Sequence, residues 1–159
     1  MKNQSLQDEL CAQFPFLTPR IGGADATPAV NVPPAKLREF VAALRETEGF
    51  DTLADLAGCD WGVGISPRFS VIYHFQRSLT REYLRIACAA SDDNTPTLPS
   101  LASLYPAANW LEREAADLFG FCFDGHPDPR PLLLWEGFQG HPLRKDFPLA
   151  GTDTTSSPF

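Results

Sequence analysis

Two runs decide the fold of this chain: Phe69-Ser-Val-Ile-Tyr-His-Phe75 and Glu82-Tyr-Leu-Arg-Ile-Ala-Cys-Ala89, joined through the polar link Ser78-Leu79-Thr80-Arg81. Both are rich in β-branched and aromatic residues, which pack well on a pleated surface, and a short polar link between such runs marks a hairpin. Successive side chains of a strand point to opposite faces. Phe69, Val71, Tyr73 and Phe75 therefore share one face, Leu84, Ile86 and Cys88 continue it, and His74 and Arg85 fall on the other. The pattern predicts a β-hairpin with one buried face and one more polar face.

Upstream, the apolar stretch Phe50 to Trp61 alternates imperfectly and ends at Gly58, Cys59 and Asp60, and it reads as a further strand. Before it, Leu37, Phe40, Val41 and Leu44 recur at helical spacing, with Lys36, Arg38, Glu39, Arg45 and Glu46 on the other side. Pro34 suits the first turn and Gly49 the stop, so an amphipathic helix is predicted over 35–48. Residues 1–34 read as an irregular N-terminal segment: a short helix around Ser5 to Phe14, then Gly22-Gly23, Pro28 and Pro33-Pro34. Downstream, Ser91 to Pro99 is a loop. Pro106 and Gly120 then bracket a helix over 106–119 with a narrow apolar stripe of Leu111, Ala115 and Leu118. Asn109, Arg113 and Asp117 share an exposed face of this helix, beside Trp110 and Glu114. The expected fold class is α+β: a two-layer domain over 35–120, its sheet mixed or antiparallel and containing the hairpin, packed by helices. An extended C-terminal docking arm is expected over 121–149, and a flexible tail over 150–159.

At 159 residues and 43% hydrophobic composition the chain has the makings of one domain with a proper core. A net charge of -7 leaves no surplus of Lys and Arg to displace phosphate counterions, which argues against a general nucleic-acid binder. No apolar run approaches the length of a bilayer span, and Met1-Lys2-Asn3-Gln4-Ser5 lacks the apolar centre of a signal peptide. A cytoplasmic protein attached to a membrane only through partners is expected. Cys11, Cys59, Cys88 and Cys122 are too far apart for a closely spaced zinc or iron-sulfur set, and Cys59 and Cys88 read as small buried hydrophobes.

Glu112, Arg113, Glu114 and Asp117 could divide acid and base roles, but charges on a short helix more commonly form a solvated or partner-facing surface. His126 and His141 do not stand with these acids at metal-site spacing. Gly58, Gly62 and Gly64 do not make a dinucleotide loop, and no nucleophile elbow is present. Catalytic, cofactor-binding and metal-binding residues are accordingly all expected to be none. The word Gly-His-Pro occurs twice, in Gly125-His126-Pro127-Asp128 and Gly140-His141-Pro142-Leu143, and its glycine and proline fix the direction of each imidazole. Such a histidine either bonds to backbone or contacts a neighbour. Arg144-Lys145-Asp146 then leads into Phe147-Pro148-Leu149. With Trp135 and Phe138, this arm holds residue types enriched at interface hot spots.

Three ordered words, Glu112-Arg113-Glu114-Ala115-Ala116-Asp117-Leu118-Phe119-Gly120, Gly125-His126-Pro127-Asp128 and Gly140-His141-Pro142-Leu143-Arg144-Lys145-Asp146, resemble the 30 kDa subunit family of NADH-quinone oxidoreductase, respiratory complex I. The resemblance implies a non-catalytic structural subunit of the peripheral arm on the cytoplasmic side of the membrane. Its partners would be the large quinone-site subunit and a cluster-bearing subunit, and iron-sulfur clusters, FMN and quinone would lie in those neighbours. The motif residues implied for the interface are Glu112, Arg113, Glu114, Asp117, Gly120, Gly125, His126, Pro127, Asp128, Arg130, Gly140, His141, Pro142, Leu143, Arg144, Lys145 and Asp146. The chain departs from the family's common pattern at Ala116 and at Pro129-Arg130-Pro131. Subunits of membrane-bound nickel-iron hydrogenase complexes share parts of these words and form an alternative, and a small acid-base enzyme is a second.

Overall fold

In the computed structural model, which describes residues 2–20 and 25–150, the chain runs α1 (Lys2–Gln13), β1 (Thr18–Pro19), β2 (Ala29–Asn31), α2 (Pro34–Glu46), β3 (Thr52–Asp60), β4 (Phe69–Gln76), β5 (Tyr83–Ala89), β6 (Thr97–Pro99), α3 (Pro106–Phe119) and β7 (Cys122–Asp124). The hairpin is β4 and β5, paired antiparallel with Val71 opposite Cys88, Tyr73 opposite Ile86 and Phe75 opposite Leu84. All six of these side chains, and Phe69, are fully buried. On the other face His74 lies opposite Arg85, whose Nε–H donates to His74 Nε2 at 2.8 Å, while Arg85 also pairs with Asp25. The polar face thus satisfies its own charges.

The five-stranded sheet has the order β1-β2-β5-β4-β3 and is mixed, because β2 joins β5 in parallel while the other neighbours are antiparallel. The imperfect alternation of β3 has a physical cause: the register shifts between Leu53 and Asp55, so one extra residue bulges from the ladder. Helix α2 buries Leu37, Phe40, Val41 and Leu44 and lies against β5 and β6; α3 lies against β3.

Two expectations are corrected. Residues 1–34 are not irregular throughout: α1, β1 and β2 lie there, Leu10, Leu17, Val30 and Val32 join the core, and Phe14 meets the Phe40 ring edge-on at 5.0 Å. The reason is that β2 is only three residues long and is fixed by long-range pairing with β5, which leaves no periodic trace in its own sequence. Gly22-Gly23 lie outside the described residues. The domain also continues past 120, since Phe121 and Phe123 are buried and β7 pairs in parallel with β6. A left-handed glycine ended the helix but not the core. Residues 151–159 of the expected tail lie outside the described residues.

A candidate docking site on the third helix and the C-terminal arm

Helix α3 presents Ala108, Glu112 and Ala115 inward, with Leu111 and Phe119 partly buried, instead of the narrow stripe through Leu118. Small residues let it approach β3 closely. Gly58 on β3 completes the fit, because a Cβ there would stand 2.7 Å from the Phe119 ring and 2.9 Å from Phe121. The charged residues on the helix's other side then meet the arm. Asp117 Oδ2 accepts the backbone N–H groups of Leu132, Leu133 and Leu134 at 2.7, 2.8 and 3.2 Å, so three successive amides form a nest around one carboxylate oxygen. Arg113 donates to the carbonyls of Arg130 and Pro131 at 2.9 and 3.0 Å, faces Asp128 at 3.4 Å and lies over the Trp110 ring. Arg130 grips Asp128 with two bonds of 2.6 and 2.7 Å.

The last carbonyls of a helix have no partner within it. Here the second Gly-His-Pro word supplies them. His141 Nδ1 meets Asp117 O at 2.8 Å, Leu143 N–H donates to Leu118 O at 3.0 Å, and Arg144 Nε–H donates to Phe119 O at 2.6 Å. Gly120 closes the helix at φ 75°, ψ 32°, and a Cβ there would lie 2.5 Å from both Arg144 and His141. Arg144 also stacks on the Phe69 ring at 4.8 Å. Gly140 likewise turns with positive φ and lies against the ring of Phe147.

Beyond this cap the arm is fastened to the end of β3. Lys145 N–H donates to Asp60 Oδ2 at 2.7 Å, while Arg68 bridges Asp60 at 2.7 Å and Asp146 at 2.9 Å. Hydrogen bonds from Arg68 hold both carboxyls below the ordinary carboxylate range. Asp60 and Arg68 were absent from the sequence-predicted set. Their partners are 85 and 78 residues away in the chain, and no local spacing reports such a pairing.

Glu112 also needs correction: it is 0% exposed and forms no part of a solvated face. Its carboxylate accepts from Ser100 Oγ and from Leu101 N–H, both at 2.6 Å, and desolvation pushes its pKa up. His126 Nε2 is 3.8 Å from Glu112 but bonds to Asn109 O at 3.1 Å, while its Nδ1 accepts from Asp128 N–H. That acceptor role places the proton on Nε2 in the neutral ring. Both Gly-His-Pro histidines therefore bond to carbonyls of α3, which decides between the two roles open to them. Gly125 makes its turn at φ 78° beside Arg38, with Pro127 exposed after it.

With Glu112, Arg113, Asp117, His126 and Arg144 engaged inside the chain, what α3 and the arm offer outward is different. Trp110 is 57% exposed, Leu133 60%, Trp135 45% and Leu143 49%, beside the exposed Glu114 and Lys145. This is a rigidly backed apolar surface with a charged fringe, the composition of a docking surface. Among the described residues no group of three or more His, Cys, Asp or Glu is placed to hold a metal, and no helix is long and apolar enough to cross a membrane.

Residues 30–153 match the family model described as respiratory-chain NADH dehydrogenase, 30 Kd subunit. A NADH-quinone oxidoreductase subunit of Acidithiobacillus ferrooxidans is 50% identical over 121 residues, covering 73% of this chain and 57% of the relative. The Rhodobacter capsulatus protein of the same name is 44% identical over 77% of this chain and 61% of its own length. A Rhizobium meliloti NADH-quinone oxidoreductase subunit is 40% identical over 87% and 76%. The chain thus spans about three fifths of the first two relatives' length. Among solved structures, Nqo5 of the trypsin-resistant fragment (1-134) superposes with a TM-score of 0.67 at 29% identity, covering 80% of this chain and 99% of that one. A chain of the membrane-bound sulfane sulfur reductase, an archaeal respiratory membrane complex, gives 0.77 at 20% identity over 94% and 87%, a likeness of fold alone.

Proposed function

We propose that this chain, which belongs to the family of the respiratory-chain NADH dehydrogenase 30 kDa subunit, is a non-catalytic structural subunit of the peripheral arm of a proton-pumping NADH-quinone oxidoreductase. In this reading it docks on the large quinone-site subunit, contacts a cluster-bearing subunit, and supports electron transfer from NADH to quinone. The iron-sulfur clusters, FMN and quinone belong to those neighbours, and the complex stands on the cytoplasmic side of the membrane. The domain over 35–120, extended by α1, β1, β2 and β7, is the body, and the arm to 149 is the docking element.

The observation that carries the reading is the division of labour on α3. Its motif charges hold the arm in shape, so that Trp110, Leu133, Trp135 and Leu143 stay exposed on a fixed support. The motif residues thus serve the interface by building it, and the exposed side chains among them, Glu114, Pro127, Arg130, Leu143, Lys145 and Asp146, are also free to touch a partner. Isolation of native complexes carrying the tagged full chain, followed by mass spectrometry, tests this. Quinone-site and cluster-bearing subunits are expected to co-purify, and Leu143→Asp should reduce their recovery by about tenfold while leaving the melting temperature of the chain unchanged. Recovery of the chain alone, or with unrelated partners, would refute the assignment.

A further inference from the structure

On the outer face of the sheet, away from α3, lies a depression of about 450 Å³ that the docking reading does not use. Its floor is Ser70 and Ala89, neighbours on β4 and β5 whose side chains alternate away from the core. Phe16 and Pro33 form one wall, Trp61 and Pro67 the other. Trp61 is held still, since its indole N–H donates to Ser70 Oγ at 2.8 Å. Thr18, Asn31 and Ser70 give the lining polar atoms, and its charged group is Arg20. Its guanidinium donates to the neutral amide oxygen of Asn31 at 3.1 Å and lies 5.8 Å from the centre of the Trp61 ring. Arg68, Arg77, Arg85, Arg113 and Arg130 each have a carboxylate within ion-pair distance, whereas among the described residues Arg20 has none, as is also true of Arg38, Arg45, Arg81 and Arg144; of these it is Arg20 that lines the depression.

A fixed cation over an apolar hollow, in a chain of net charge -7, selects for a negative group attached to an apolar one. The size of the occupant follows from the loop that leaves Trp61. Beyond Trp61 the β3–β4 loop continues with Val63 and Ile65, 70% and 52% exposed, an apolar strip that a small ligand in the hollow would leave in water but a polypeptide would cover. We propose that this pocket is a second docking site, which receives an extended partner segment carrying an apolar side chain next to an Asp or Glu whose carboxylate pairs with Arg20. The inference rests on the chain being a subunit of a larger complex, and it concerns a face separate from the arm.

Carbodiimide coupling tests it, because the reagent joins an amine directly to a carboxylate it already touches. The full chain bearing Arg20→Lys is expressed in place of the native one, the native complex is isolated and coupled, and peptides are mapped by mass spectrometry. The expected product links position 20 to one Asp or Glu of a single partner chain, beside an apolar residue. Arg20→Glu should reduce recovery of that partner by about tenfold. Links from Lys145 to partners without any from position 20 would overturn the pocket while leaving the arm reading intact. A link from position 20 only to Asp25 of the same chain would overturn it too, as would full recovery of partners with Arg20→Glu. Absence of any co-purifying chain would sink both readings together.

Discussion

Gly120 occupies the left-handed region at the end of α3 with His141 and Arg144 packed against its bare Cα. Gly120→Ala forces an L side chain into that conformation, at about 1–2 kcal/mol, and overlaps both neighbours as well. A fall in the chemical-denaturation midpoint larger than the conformational penalty alone is the expected result. Glu112 behaves differently. Desolvation raises its pKa, so in the folded chain its ionised form is disfavoured, and the penalty is present above the folded pKa and relieved as pH falls toward the unfolded value near about 4.3. Glu112→Gln keeps an acceptor for Leu101 N–H and an amide that can donate to Ser100 Oγ. The variant should gain stability relative to the native chain at neutral pH, and the gain should shrink on acidification. A difference independent of pH would show that the native carboxylate is not strained by its burial.

At the scale of elements, α3 and the arm form one unit in which the arm caps the helix and the helix shapes the arm. Arg144 belongs to the cap, through Phe119 O and the Phe69 ring, whereas the Lys145 side chain is exposed and only its backbone is engaged. The adjacent cations therefore separate: Arg144→Ala should cost about 1–3 kcal/mol of stability, and Lys145→Ala almost none. Urea titration of the two variants measures this. The helix limits were legible in Pro106 and Gly120, and the hairpin in its alternation, because those signals are local. The inward position of Glu112 was not legible, since a buried carboxylate looks like any helix acid until Ser100 and the Leu101 amide arrive from the preceding loop. The Gly-His-Pro words announced two fixed imidazoles without showing that both reach back to the same helix.

For the whole molecule, the contact that ties the C-terminal arm back to the middle of the chain is the Asp60–Arg68–Asp146 bridge. Both carboxyls are held below their ordinary range by Arg68, so their contribution is complete above about pH 4 and is lost as pH falls through the lower folded values. Arg68→Met strands Asp60 as a buried charge and should cost roughly 3–5 kcal/mol at neutral pH. That cost should diminish below about pH 4, where Asp60 can take a proton; a constant cost down to about pH 2 in denaturant titrations would contradict the bridge. Sequence spacing could not reveal this closure, nor the parallel pairing of β2 with β5, because each is specified by residues far apart along the chain. The distance between α3 and its cap also sets an order of events during synthesis. His141 follows Asp117 by 24 residues and Arg144 follows Phe119 by 25, so a nascent chain releases the helix well before the groups that close it. Until the ribosome delivers those groups, the final carbonyls of α3 face water and Asp60 lacks the Lys145 amide. The arm is thus made after the helix it caps, and a partner arriving before the cap is in place meets a different surface from one that arrives afterwards.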